Sequence, residues 1–274
     1  MKIMNIKKKK GVPEELNIYN FNPYIAKENI IKWIRDWFEI NGKNCNAVIG
    51  ISGGKDSSIV AALCVEALGK DRVIGVLMPQ GEQSDIKVAK EVVELLGIQS
   101  YEINIENAVN AIANPIKYHN KIDFSIQAKT NLPARIRMAT LYAVAQSLNG
   151  RVIGTSNLSE AIVGYYTLGG DSVSAMFPIK DYTVTEVQMI GRMALNLPEH
   201  LVYKTPEDGL SGKTDEDNLG FSYDVLDTYI RSGICEDETI RHKIETLAKN
   251  SSFKLFMPDK FNSNLPIFVD NYMI

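Results

Sequence analysis

Ala47-Val48-Ile49-Gly50-Ile51-Ser52-Gly53-Gly54-Lys55-Asp56-Ser57-Ser58 decides how the rest of the 274-residue chain is read. An apolar run meets two adjacent glycines and continues into Ile59-Val60-Ala61-Ala62-Leu63, which predicts strand, turn and helix. Glycine permits positive φ and close backbone approach, and the first N–H groups of a helix lack intrahelical acceptors and carry the positive end of its dipole. An anion belongs at such a turn. Ser52, Ser57 and Ser58 add hydroxyl donors, Lys55 adds a cation, and Asp56 is suited to hold a magnesium ion against phosphate oxygens. A plain turn with Asp56 and Ser57 as caps would explain the glycines, but not so many polar groups packed beside them. The common nucleotide motifs do not fit: Lys55 stands where a Walker A loop beginning at Gly50 needs its second glycine, and there is no G-x-G-x-x-G.

Outward from this stretch, the chain is long enough to bury one large α/β core. Residues 1–20, with Lys7-Lys8-Lys9-Lys10, read as a flexible basic tail without the apolar run of a signal peptide, and 21–274 read as a single domain. Hydrophobic content of 45%, charged content of 23% and a net charge of −3 describe an ordinary globular chain with no electrostatic footprint for nucleic acid. No stretch approaches the ~20 apolar residues of a membrane span. Cys45, Cys64 and Cys235 are too scattered for a disulfide framework or zinc site, and the cytoplasm is the expected compartment.

Apolar residues at helical spacing predict an amphipathic helix over 24–40, serving as core or dimer surface. Strands are predicted over 73–78, 100–105 and 151–154, with a helix over 84–96. Residues 114–130 read as a loop or broken helix that becomes ordered with ligand, and Pro133 suits the first turn of the helix that follows. Arg135 and Arg137 lie on different faces of that helix, one for the site and the other for solvent or a partner. The expected fold is α/β: an open, mostly parallel, doubly wound sheet with helices on both faces, Rossmann-like, with ligands at the carboxyl ends of the strands. Gln83 falls after the second strand. After the fourth, Thr155 is placed to bond a nucleotide and Glu160 to reach a magnesium ion from the side opposite Asp56.

Ser52-Gly53-Gly54-Lys55-Asp56-Ser57 resembles the pyrophosphate loop of the N-type ATP pyrophosphatases, which implies ATP cleaved between its α- and β-phosphates. The segments 132–138, 154–160, 164–167, 170–172 and 213–220 extend the resemblance to the NAD synthetase family over about 24–258. It implies amidation of deamido-NAD with ammonia through an adenylated intermediate, releasing AMP and pyrophosphate, by a homodimeric magnesium-dependent ligase. Carried over by position, Gly50, Ile51, Ser52, Gly53, Gly54, Lys55, Asp56, Ser57, Ser58, Gln83 and Thr155 match ATP contacts, and Asp56 and Glu160 match metal ligands. Arg135, Asp171, Phe253 and Lys254 match the substrate side, with Lys55, Asp56 and Asp171 as catalytic candidates and Asp171 near ammonia. Residues 208–213 resemble a mobile loop that closes over the site.

The chain departs from the family at four positions. Many relatives have a basic residue at Leu168 and an acid at Ala175. Those with a lysine ATP contact have it at Val184, and Glu207 replaces a common threonine. Lys180, Lys204 and Lys213 are available to compensate. With the chain committed to a synthetase-like domain, the expected nitrogen source is ammonium rather than glutamine. The alternatives are a related ATP pyrophosphatase that adenylates another acid, or a nucleotide-binding relative without turnover.

Overall fold

The computed structural model describes residues 21–83, 86–203 and 214–255. Strands β1 (Asn46–Gly50), β2 (Val73–Leu77), β3 (Gln99–Glu102) and β4 (Gly150–Val152) form one sheet in the order β3-β2-β1-β4, parallel throughout. The chain runs outward from β1 to β3 and then crosses back to add β4 on the other side of β1. Strand order therefore reverses between β1 and β4, and the glycine turn after β1 lies at that switch point.

Helices α2 (Lys55–Leu68) and α3 (Ile86–Leu96) make the first two crossovers, and α4 (Glu106–Asn114) with α5 (Ile126–Ser147) makes the third. Successive strand residues face opposite sides of the sheet, so each strand feeds two cores. On one face, Ala47, Ile49, Val73 and Leu77 pack with α2, α3 and α1 (Pro23–Asn41), burying Ile34, Phe38, Ile59 and Leu63. Each such side chain contributes roughly 1.5–3 kcal/mol. On the other, Val48, Ile74, Val76 and Val152 meet Val109, Met138, Leu141 and Ala145 of α4 and α5. The doubly wound α/β architecture is the one expected.

Beyond β4 the chain continues through α6 (Leu158–Val163), α7 (Val184–Met189), α8 (Glu199–Val202), α9 (Asp215–Leu219), α10 (Tyr223–Ser232) and α11 (Glu238–Ser251). Val163, Val184, Leu219, Phe221, Leu226 and Ile244 form a third, smaller apolar cluster there. Among the described residues no helix is long and apolar enough to cross a membrane.

The third crossover differs from expectation. Helix α5 begins at Ile126, capped by the Ser125 side chain, and Pro133 lies inside it rather than in its first turn. Ile126 is 82% exposed, so this first stretch buries no apolar stripe that periodicity could register. The break falls earlier: α4 runs into a π-helical turn over Pro115–His119, and irregular chain precedes α5. The expected tail 1–20, Lys204, Glu207 and the segment 208–213, expected to close over the site, lie outside the described residues.

Candidate functional site

Gly53 has φ +78°, and a Cβ there would come within 2.9 Å of the Ala89 nitrogen, so only glycine lets the turn pass this close to α3. Gly54 then caps α2 without a side-chain hydrogen bond to its first-turn amides, which keep their capacity for an anion. The hydroxyls stiffen the turn: Ser57 Oγ and Ser58 Oγ donate to the Gly54 carbonyl at 3.1 and 2.8 Å, and Ser52 Oγ accepts from Gly54 N at 3.2 Å.

Asp56 follows in the first turn of α2, and both of its carboxylate oxygens are held. Lys55 Nζ donates to Oδ2 at 2.9 Å and Asn157 Nδ2 donates to Oδ1 at 3.3 Å. Asn157 is also the N-cap of α6, accepting from Glu160 N at 3.0 Å, so one amide side chain fixes the two acids relative to each other. Burial, and then the Asp56 charge, push the Glu160 carboxyl up to about 8 against the pull of Lys55. Burial also disfavours the Lys55 ammonium, but Asp56, Glu160 and Asp215 outweigh it and hold its pKa above the ordinary value.

Two carboxylates fixed by one Asn157 side chain on the lining of one cavity form the hard oxygen pair that magnesium uses, so these residues fit that ion. Among the described residues no group of three His, Cys, Asp or Glu side chains is gathered for a metal. Water and substrate phosphates would complete the shell, as is usual for magnesium.

A cavity of about 500 Å³ opens here, bounded by Gly50, Ile51, Ser52, Gly54, Asp56 and Ser57 on one side and by Gly154, Thr155, Glu160 and Asp171 on another. Met78, Pro79, Ile86 and Ala89 give it an apolar flank, with Gln83 beside them. Ten of the residues expected from sequence thus line this one cavity: Gly50, Ile51, Ser52, Gly54, Asp56, Ser57, Gln83, Thr155, Glu160 and Asp171.

Others stand back from it. Lys55 is 3% exposed and turns beneath Asp56, 5.8 Å from the centre of the Tyr223 ring. Gly53 and Ser58 are buried behind the turn. Arg135 is exposed and donates to the Leu168 carbonyl at 3.1 Å, and Phe253 is 65% exposed. Lys254 Nζ binds the carbonyls of Gly164 and Tyr166 at 2.9 and 3.1 Å. Asp171 is open at the cavity edge, yet protein packed round its carboxyl raises its pKa, opposed by the Thr167 N–H at 2.8 Å.

Sequence reading left several contributors without a role. Arg137, rather than Arg135, lines the cavity, its Nε on the Met78 carbonyl at 3.1 Å. Asn157 and Asp215 sit in the segments 154–160 and 213–220 that carried the resemblance, and Asp215 also lines the cavity. The S/T-x-x-D pattern of Thr214 and Asp217, a capping box, was the available signal for a helix start beside Asp215. Val184 is buried in the third apolar cluster, and Lys180 covers the Phe177 ring at 4.4 Å.

A glycine turn with open helix amides at the switch point of a parallel sheet, lining one cavity with two linked oxygen-donor acids, is the arrangement of a nucleotide-handling α/β protein. The NAD synthase family model matches residues 26–260, and the chain belongs to that family. It is 38% identical over 247 residues to an NH3-dependent NAD(+) synthetase of Pyrococcus furiosus, covering 84% of this chain and 93% of that one. Its structure is similar to that of an NMN synthetase from Francisella tularensis, with TM-score 0.80 and 30% identity over 89% of this chain and 100% of the other. The NH3-dependent NAD synthetase of Campylobacter jejuni gives a TM-score of 0.71 at 27% identity, covering 88% and 100%.

Proposed function

We propose that the chain is an ammonia-dependent NAD synthetase, joining ammonia to the nicotinate carboxylate of deamido-NAD with consumption of ATP. The observation that carries this reading is the meeting of the phosphate turn, the Asp56–Glu160 pair and Asp171 on the wall of one cavity. A carboxylate is a poor electrophile. Its oxygen attacks the α-phosphorus of ATP, pyrophosphate leaves, and the acyl adenylate then exchanges AMP for ammonia.

The α2 amides with Ser52 and Ser57 receive the departing pyrophosphate, so most of the catalysis is positioning and charge neutralisation. Asp56 and Glu160 would hold magnesium, which would supply positive charge against the phosphate oxygens. Lys55 acts from beneath, balancing the acids rather than touching phosphate. Gln83 and the apolar flank take the adenine, while Arg135, Asp171 and Lys254 serve the acid and nitrogen side.

Tyr24, Ile25 and Trp33 leave a band of α1 exposed by 44–60%, which supports a homodimer built on this helix. Sedimentation of the active protein as a dimer checks this, and a strictly monomeric active species contradicts it.

The test of function is product balance. Purified protein with deamido-NAD, ATP, magnesium and ammonium is expected to form NAD, AMP and pyrophosphate in equal amounts, and none with glutamine alone. The similarity to the NMN synthetase favours a second reading, in which the acid is nicotinate mononucleotide. Higher kcat/KM with that acid would select it.

A further inference from the structure

Asp227 lies within α10 and is only 4% exposed, behind the residues that line the cavity. A carboxylate buried in this way needs donors from the chain, and both of its oxygens have them. Ser159 Oγ donates to Oδ1, while Thr185 donates twice to Oδ2, from its N–H at 2.8 Å and from its hydroxyl at 2.7 Å. Ser159 Oγ in turn accepts from Val184 N at 3.1 Å. One side chain of α10 thereby ties α6 to the start of α7.

The tie falls beside the acid pair. Ser159 is fully buried and immediately precedes Glu160 in the first turn of α6. Neighbouring side chains on a helix point roughly 100° apart, so holding Ser159 inward fixes the direction in which Glu160 leaves the turn. The Glu160 carboxylate also accepts from Asn157 N at 3.5 Å, so it moves with its own turn. That helix has six residues, too few to keep its shape without ties to its surroundings. One turn before Asp227, on the same face of α10, Tyr223 stands 5.8 Å beneath the Lys55 ammonium that holds Asp56. A single helix face therefore backs both acids, Glu160 through Ser159 and Asp56 through Lys55.

We propose that Asp227 is a positioning residue for the metal pair: through Ser159 it fixes the first turn of α6, and with it the direction of the Glu160 carboxylate relative to Asp56. The proposal rests on the magnesium role given to these two acids above. Asp227 acts from behind the site, through hydrogen bonds alone.

Ser159→Ala cuts the tie on the α6 side and leaves both Thr185 bonds in place. It is expected to raise the magnesium concentration for half-maximal turnover about tenfold, the size of one hydrogen bond to a charged group, while the KM values for ammonium and deamido-NAD stay within twofold. In the ligand-free protein, amide hydrogen exchange over 158–163 should quicken by about the same factor. Asp227→Ala should do at least as much. Asp227→Asn still offers an oxygen to Thr185 and an N–H to the Ser159 oxygen, and should stay within about threefold of wild type in both readouts. An unchanged magnesium dependence in Ser159→Ala, with or without faster exchange, would make the tie merely structural and overturn the proposal. So would an equal rise in the KM for deamido-NAD, or Asp227→Asn as damaging as Asp227→Ala. If turnover of the wild-type protein does not depend on magnesium, the metal reading fails instead, and the exchange measurement, made without ligand, keeps the two failures distinct.

Discussion

The two ends of the cavity are built differently. At the nucleotide end, Lys55, Asp56, Asn157 and Glu160 form a continuous set of contacts within the chain, and Arg137 is held on a backbone carbonyl. At the acid end, Arg135 is exposed, Leu168 and Val173 are 47% and 39% exposed, and Phe253 stands clear of the cavity. The first end is ordered before any ligand arrives, which is what stabilising charge on a departing pyrophosphate requires. The second is left open.

Breaking the nucleotide end should cost most. Lys55→Met leaves two partly buried acids without their buried counter-charge and is expected to destabilise the protein by about 3 kcal/mol, read from urea unfolding. A loss below ~1 kcal/mol would mean that the pair does not organise this end. Asp56→Asn and Glu160→Gln should each lower magnesium-dependent pyrophosphate release by about a hundredfold to a thousandfold while circular dichroism stays unchanged. Full activity in both would remove the metal assignment.

Changes at the acid end should be smaller and selective. Arg135→Ala is expected to raise the KM for deamido-NAD tenfold to hundredfold, the range of about 1.5–3 kcal/mol for a charged hydrogen bond, with the KM for ATP unchanged. An equal rise in both constants would erase the distinction between the ends. The smallest effect expected is a gain: Leu168→Lys with Ala175→Asp restores two polar groups at exposed positions and should lower the KM for deamido-NAD severalfold. No change would show that these departures lie outside the substrate's reach.

The same contrast separates what was legible in the sequence from what was not. The strand–turn–helix at 46–68 was readable because a fully buried strand is a plain apolar run and the Gly-Gly turn has few other uses. Asp56 and Glu160 followed, being placed by strand ends. Lys55 did not: its place in the turn suggested phosphate, but at the start of α2 its side chain points down to Tyr223. The bond from Asn157 to Asp56 spans 101 residues and exists only after the sheet closes. Arg135 and Arg137, two apart on one helix, could be assigned to different faces, but only packing decides which one meets the cavity. The start of α5 and the whole of α4 escaped because little of either is buried.

The most direct test follows one oxygen atom. With deamido-NAD labelled with ¹⁸O in both carboxylate oxygens, adenylation and ammonolysis should carry one labelled oxygen into AMP for every NAD formed and none into pyrophosphate. AMP free of label, with NAD still produced, would contradict attack of the carboxylate on the α-phosphorus and with it the assignment of the two ends.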